Sequence, residues 1–378
     1  MKVIVKSDQL LKALSHVQSV VERRNTIPIL SNVKIDCDKS GFLSLTTTDM
    51  DISIKDQVIA TISEEGSITV PAYTLYEIVR KLDQGVDVNI TCSDDNKLVC
   101  ELKINNSEFN LPCLPVQDFP SFEVNKPTHN FKINSEICKA LFNKTRHAIS
   151  SDETRYYLNG VYLHTANSED GSPMLRVVAT DSHRLARAQT LQPVGCTDMP
   201  GVIVPKKTVN EVIKLLEDFS GEIEIGISQN KVTFQIGTTV LDSKLIEGKF
   251  PDYDRVIPKN NDKSLEVSRD NLLRSIDLVI SVSSDKTRAV RFNIEPSKLT
   301  VHASSEINGN ARGNQELAVN YNVAESITIG FNSRYMLESL AAIDGDTVRV
   351  SFSNNTSAVI AQDPQETGFM YILMPMQV

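Results

Sequence analysis

The chain repeats one design three times, and that constrains its fold more than any single motif. "MKVIVKSDQLLKALSHVQSVV" opens at residue 1, "FKINSEICKALFNKTRHAIS" at 131 and "LEVSRDNLLRSIDLVISV" at 265. Each reads as a short alternating strand, a capping residue and apolar residues at helical spacing. Ser7, Asn134 or Ser135, and Ser268 are the expected N-caps. Leu10, Leu14, Val17 and Val21 mark one helix face in the first copy; Leu272, Leu273, Ile276, Val279 and Ile280 mark it in the third. A second feature recurs as "SITVPAYTLYEIVRKL" at 67, "GVIVPKKTVNEVIKLL" at 201 and "SITIGFNSRYMLESLAAI" at 326, a β-rich stretch running through Pro71, Pro205 or Gly330 into a helix. Two alternating strands follow each helix, turning on Asp, Asn, Ser or Gln, as hairpins do. A repeated unit of this kind is α+β: an antiparallel sheet with two helices on one face. The expected domains are 1–128, 129–262 and 263–378, joined by the Pro-, Asn- and Lys-rich stretches at 124–130 and 257–264.

A third recurring feature looks catalytic. "ATDSHRLA" at 179–186 places Asp181, Ser182 and His183 side by side, and its counterparts are "FLSLTTTDMDISI" at 42–54 and "LTVHASSEINGNAR" at 299–312. A serine hydrolase with Ser182 as nucleophile is the alternative function. In a strand, alternation would send Asp181 and His183 one way and Ser182 the other, which cannot put histidine between the other two. No G-x-S-x-G elbow exists, and neither "TTDMD" nor "SSEIN" repeats the set. A polar strand–strand turn with a binding role fits better. The six histidines lack metal-ligand spacing, no Gly-rich phosphate loop precedes a helix, and the six cysteines form no C-x-x-C pair, so neither metal nor cofactor is expected and the thiols should be reduced and buried. The N-terminus does not read as a signal peptide and no stretch is apolar enough to span a membrane, which predicts a cytoplasmic protein. Three copies with no shared catalytic set suggest a non-enzymatic scaffold.

The net charge of −9 argues against nucleic acid, which usually demands a basic footprint. The charge is unevenly placed, however. Helices predicted over 7–24, 72–82, 135–150, 206–217, 268–283 and 332–343 hold fourteen Lys/Arg against nine Asp/Glu, or +5, leaving −14 for the rest. A mildly positive helical face over negative sheets would attract phosphates weakly and without regard to sequence.

From end to end the chain resembles the bacterial sliding clamps, the β subunits of DNA polymerase III. The resemblance is carried by "RNTIPIL" (24–30), "ETRYYLNG" (153–160), "ATDSHRLA" (179–186), "EGKFPDYDRVIP" (247–258) and the C-terminal "MPMQV" (374–378). It implies a head-to-tail homodimer closing a six-domain ring around duplex DNA, holding it topologically and needing no cofactor. It also implies a groove that takes short peptides of Gln-Leu-x-Leu-Phe type from the polymerase α subunit, the clamp loader, other polymerases and mismatch-repair proteins. Carried over by position, that groove comprises Arg155, Tyr157, Leu158, Thr180, His183, Arg184, Leu185, Pro251, Arg255, Val256, Asn332, Tyr335, Ile372, Met374, Pro375 and Met376. The same resemblance gives Arg24, Tyr156 and Tyr157 as DNA contacts, and Phe109 and Leu111 meeting Ser281 and Val282 across the dimer. Departures from the family pattern are Ser182 for a common glycine, Gln377 for a common arginine, Asp254 at an often basic position, and the acidic Asp152 and Glu153.

Overall fold

In the computed structural model, which describes residues 1–22, 26–92, 98–122, 126–283, 288–305 and 311–377, every repeat builds two half-sheets and two helices. The helices are α1 (Ser7–Val17), α2 (Ala72–Val79), α3 (Ser135–Asn143), α4 (Lys206–Leu215), α5 (Arg269–Ile280) and α6 (Ser333–Ala341). α1 buries Leu10, Ala13, Leu14 and Val17 against strands Phe42–Thr48 and Ile52–Ile59, and α5 buries Leu272, Ile276 and Val279 against Lys298–Ser305 and Ala311–Ala318. Within its own repeat, α1 packs on α2 and α5 packs on α6. The predicted hairpins form at 87–104, 222–236 and 347–362.

The helices are shorter than the periodicity predicts. After α1 the chain tightens into a 3-10 turn at Gln18–Val20, where the β-branched Val20 and Val21 favour leaving the helix. After α3 a similar turn forms at Arg146–Ala148. Over their observed spans the six helices carry eight Lys/Arg and seven Asp/Glu, so the expected excess of five falls to one. The displaced cations Arg80, Lys81, Lys144 and Arg146 sit just past the C-termini of α2 and α3, where the partial negative charge of a helix end favours them. Lys144 is not free for an outside partner: its Nζ donates to the Ala342 carbonyl at 2.6 Å and pairs with Asp344 at 2.5 Å.

Capping departs from expectation in the first repeat only: ahead of α3, Asn134 Oδ1 accepts from Glu136 N–H at 2.9 Å. Ser268 caps α5 through Asn271 N–H at 3.5 Å, but α1 is preceded by Lys6 with no side-chain cap. Ser7 is the first helical residue; its hydroxyl donates to Asp83 O at 2.7 Å and accepts from Val86 N–H at 3.1 Å. Ser135 does the equivalent job with Gly221 N–H at 3.2 Å. These serines tie each helix start to the segment entering its hairpin. Gly330 lies within strand Ile327–Asn332 rather than at a helix start, and α6 begins two residues beyond the position that Pro71 suggested.

The chain divides into two compact units, residues 1–136, 193–196 and 210–245 in one and 137–192, 197–209 and 246–378 in the other. The central repeat contributes to both. In the first unit its hairpin sheet joins the first repeat, strand Thr239–Lys244 pairing antiparallel with Ile52–Ile59 so that Leu241 faces Ile54. In the second unit, Phe369–Leu373 of the third repeat pairs with Arg184–Leu191 of the central one, with Ile372 opposite Leu185. The last hairpin-sheet strand of one repeat thus closes onto the third strand of the preceding repeat's other half-sheet. That rule leaves two strands without such a partner, Ser107–Pro112 of the first repeat and Ala311–Ala318 of the third, each at the end of its sheet. All six cysteines are buried and none is in a disulfide, and among the described residues no helix is long and apolar enough to cross a membrane.

Candidate functional site

The hydrolase-like residues occupy a turn, not a strand. Strand Pro173–Thr180 ends before Asp181, and Arg184–Leu191 begins after His183. Asp181 Oδ1 accepts from the backbone N–H of both His183 and Arg184 at 3.0 Å, while Thr180 Oγ1 accepts from Ser182 N–H at 3.1 Å and donates to Arg184 O at 2.7 Å. The first repeat builds the same turn: Asp49 Oδ1 accepts from Asp51 and Ile52, and Thr48 Oγ1 accepts from Met50 and donates to Ile52 O. Ser182 and Met50 hold the same left-handed position, at φ 77° and 78°. A glycine would be relaxed there. The Ser182 hydroxyl accepts from Arg155 Nη1 at 2.6 Å, and the second Asp181 carboxylate oxygen takes Arg184 Nε at 3.1 Å. Asp181 therefore builds the turn, and its carboxylate is committed to Arg184 rather than to a histidine relay.

Beside this turn lies an apolar floor. Leu158, Val178, Leu185, Ile203, Phe250, Tyr253 and Ile372 form one buried cluster, with Tyr157, Tyr162, Ile246, Ile257, Ala358, Ile360 and Met370 packed on it. Of the sequence-derived groove residues, Leu158, Leu185, Ile372 and Tyr157 belong to this assembly. Tyr253, Val178, Ala358 and Ile360 belong to it too and were not among them; the sheet register, which sets Ile360 opposite Ile372, brings in Ile360.

The C-terminal strip is fastened, not frayed. Met374 N–H donates to His183 O at 3.0 Å and Met376 N–H donates to Gly330 O at 2.8 Å. Their side chains remain 45% and 36% exposed, and Val256 is 54% exposed. Unbranched, polarizable methionines held at a fixed backbone suit a surface that must fit several apolar partners. Pro251 and Arg255 are exposed nearby in sequence to Val256, with Arg255 paired to Asp252 at 2.7 Å.

Arg184 plays a different part from the one its sequence position suggests. It is buried, its Nη1 donates to Glu338, its Nη2 donates to His147 O, and its guanidinium lies 4.3 Å from the Tyr335 ring centroid. With Nε on Asp181, every nitrogen is engaged within the protein. Arg184 fixes turn, α6 and the 146–148 segment together. Burial alone would raise the Glu338 carboxyl, but hydrogen bonds from Arg334 and Arg184 win and hold it below the usual range. Burial and the adjacent Arg184 charge push the His147 imidazole down to about 4. Asn332 caps α6 through the N–H groups of Arg334 and Tyr335, so it too is structural; Tyr335 is half-buried, its ring 6.4 Å from that of the exposed His183.

The 3-10 segment Glu153–Leu158 carries the remaining residues. Asp152 caps it, accepting from the Thr154 hydroxyl and N–H and from Arg155 Nε; these bonds pull its carboxyl down to about 2. The acidic Asp152 is thus partly neutralised by Arg155. Tyr157, given both to the groove and to DNA, packs on the apolar floor, while Tyr156, given to DNA alone, is 55% exposed. Arg24 lies outside the described residues. Among those described, no group of three or more His, Cys, Asp or Glu is placed to hold a metal ion.

Three family models match in series: the N-terminal domain of the DNA polymerase III beta subunit over 1–123, its central domain over 132–252 and its C-terminal domain over 254–377. The chain belongs to the DNA polymerase III beta subunit family, the beta sliding clamps. The beta sliding clamp of Caulobacter vibrioides is 44% identical over 379 residues, covering all of both chains. A sliding clamp from Bartonella birtlesii, solved bound to griselimycin, superposes with a TM-score of 0.95 at 38% identity, and the Caulobacter crescentus pol III beta with 0.94 at 42%, each with complete coverage of both chains. Three tandem clamp domains in one chain are what these relatives share with it.

Proposed function

We propose that this clamp chain pairs head to tail with a second copy, encloses duplex DNA without reading its sequence, and tethers replication and repair proteins through the groove around Leu185, Ile372 and the 374–376 strip. The observation that carries the docking half is the pair of exposed methionines on a strip bonded to His183 and Gly330, beside a floor that is already apolar. An amphipathic peptide can bury its Leu and Phe side chains there without the groove having to reorganise. Thr180, His183, Arg155, Pro251, Arg255 and Val256 form its rim in this reading, with Arg184, Asn332 and Tyr335 as its frame. The domain limits 1–128, 129–262 and 263–378 are those proposed for the three modules.

The dimer half rests on the pairing rule. Where each repeat closes onto the one before it, the first repeat's strand Ser107–Pro112 needs the Ala311–Ala318 strand of another copy. Phe109 is 36% exposed and is the apolar contact on one side, whereas Leu111 is already buried within its own sheet. On the other side Ser281 is exposed at the end of α5, Val282 packs over Gly313 of the edge strand, and Leu278, 61% exposed, joins them although sequence reasoning passed it over. Tyr156 and Arg24 are assigned to DNA; the even charge of the helices means weak, backbone-directed contact, which suits sliding.

Deleting residues 374–378 tests the docking reading. The truncated chain is expected to lose at least tenfold in affinity for a labelled Gln-Leu-Ala-Leu-Phe peptide while keeping its native mass in solution. Undiminished peptide affinity would contradict the groove assignment.

A further inference from the structure

The apolar floor does not stop where the groove residues end. On strand Arg184–Leu191, Arg187 and Gln189 follow Leu185 on the same face, since alternate residues share a face. Arg187 stands opposite Val178 on one neighbouring strand and Met370 on the other, and Arg176 stands opposite Gln189. Arg176, Arg187, Gln189 and Met370 line an open cavity of about 600 Å³, which shares Ile360 and Met370 with the packing around the groove floor. Floor and cavity are one continuous sheet face that changes from apolar to basic along its length.

The two arginines are not equivalent. Arg176 is buried and occupied: its Nε donates to Gln189 at 2.9 Å, its Nη2 to Asn167 O at 2.8 Å and its Nη1 reaches the Tyr253 hydroxyl at 3.4 Å. Arg187 has a buried Nε with no hydrogen-bond partner. An N–H of a guanidinium left unpaired out of water costs free energy that an incoming acceptor recovers. Burial and the neighbouring Arg176 both work against its charged form, so an anion would relieve two costs at once. From the rim Asp254 and the exposed Glu169 favour its charged form without offsetting burial; Asp170 is held by Ser168 and by Ser172 N–H at 3.1 Å, and Asp254 lies 3.9 Å from Arg176.

We propose that this cavity extends the docking groove and receives an acidic side chain flanking the docking peptide, with the Arg187 guanidinium as its anchor. The inference rests on the groove reading above. Leu185 and Arg187 are two residues apart on one strand, about 7 Å, which two further residues of an extended peptide can span. Partners whose docking motif is flanked by Asp or Glu would then be favoured over those with neutral flanks.

The test uses the full-length clamp and the Gln-Leu-Ala-Leu-Phe peptide, extended by Asp-Asp or by Asn-Asn at each end in turn. At one end the Asp-Asp peptide is expected to bind about five- to tenfold more tightly than its Asn-Asn control, the scale of a partly exposed charge-assisted hydrogen bond. In Arg187→Gln the ratio should fall to about one while the unextended peptide binds as before; Arg187→Lys should keep part of the preference, and serves if the Gln variant does not fold. Equal binding of acidic and neutral extensions at both ends, with the unextended peptide binding well, overturns the extension alone. Failure of the unextended peptide to bind overturns the groove reading itself.

Discussion

At the scale of single residues, the site depends on groups that sequence alone makes look active. Asp181 and Arg184 stand in a stretch resembling a hydrolase motif, yet their donors and acceptors are consumed in holding a turn at the groove's edge. His147 belongs to the same frame: its ring lies 5.5 Å from Tyr371, and its carbonyl receives Arg184. Because burial lowers its folded pKa to about 4 from the ordinary 6.5, the unfolded chain binds the extra proton between those limits, and stability falls as pH drops through that window. His147→Phe keeps an aromatic ring and removes the proton. Between pH 7 and 4.5 the wild type should lose about 2 kcal/mol more than the variant, read from urea unfolding midpoints. Equal losses would mean that the imidazole is not held neutral.

At the scale of elements, what was legible followed from local periodicity. The three hairpins and the buried faces of α1 and α5 show in alternation of period 2 and spacing near 3.6, which neighbouring residues alone determine. Helix ends were misplaced because the 3-10 turns at Gln18–Val20 and Arg146–Ala148 continue the apolar pattern without continuing the helix. Ser7 read as a cap because its residue type suits one; its bonds to Asp83 and Val86 are tertiary. The proposed groove comes only from family resemblance: Leu185, Ile372 and Ile360 meet across strands distant in sequence, and no local pattern announces that register. The edge strand Ala311–Ala318 was invisible for the same reason. It also yields a prediction at this scale. Phe109→Glu sets a charge on the opposing edge, where dimerisation would bury it unpaired. A native mass near that of one 41.9 kDa chain is expected for the variant, against twice that for the wild type. A variant that remains dimeric would contradict the edge assignment.

At the scale of the whole molecule, the charge problem eases. A chain of net charge −9 with nearly neutral helices is poorly made for gripping DNA and well made for not sticking to it. In the proposed reading, enclosure supplies the retention that affinity does not, and the apolar groove then brings partners to the enclosed DNA. The most direct measurement is retention on nicked circular DNA after loading with a compatible clamp loader, removal of free protein, and linearisation of half the sample. Protein that stays on circles and leaves linear DNA by its ends is the predicted result. Protein retained equally on both would show that it binds DNA by contact, and would contradict the central claim.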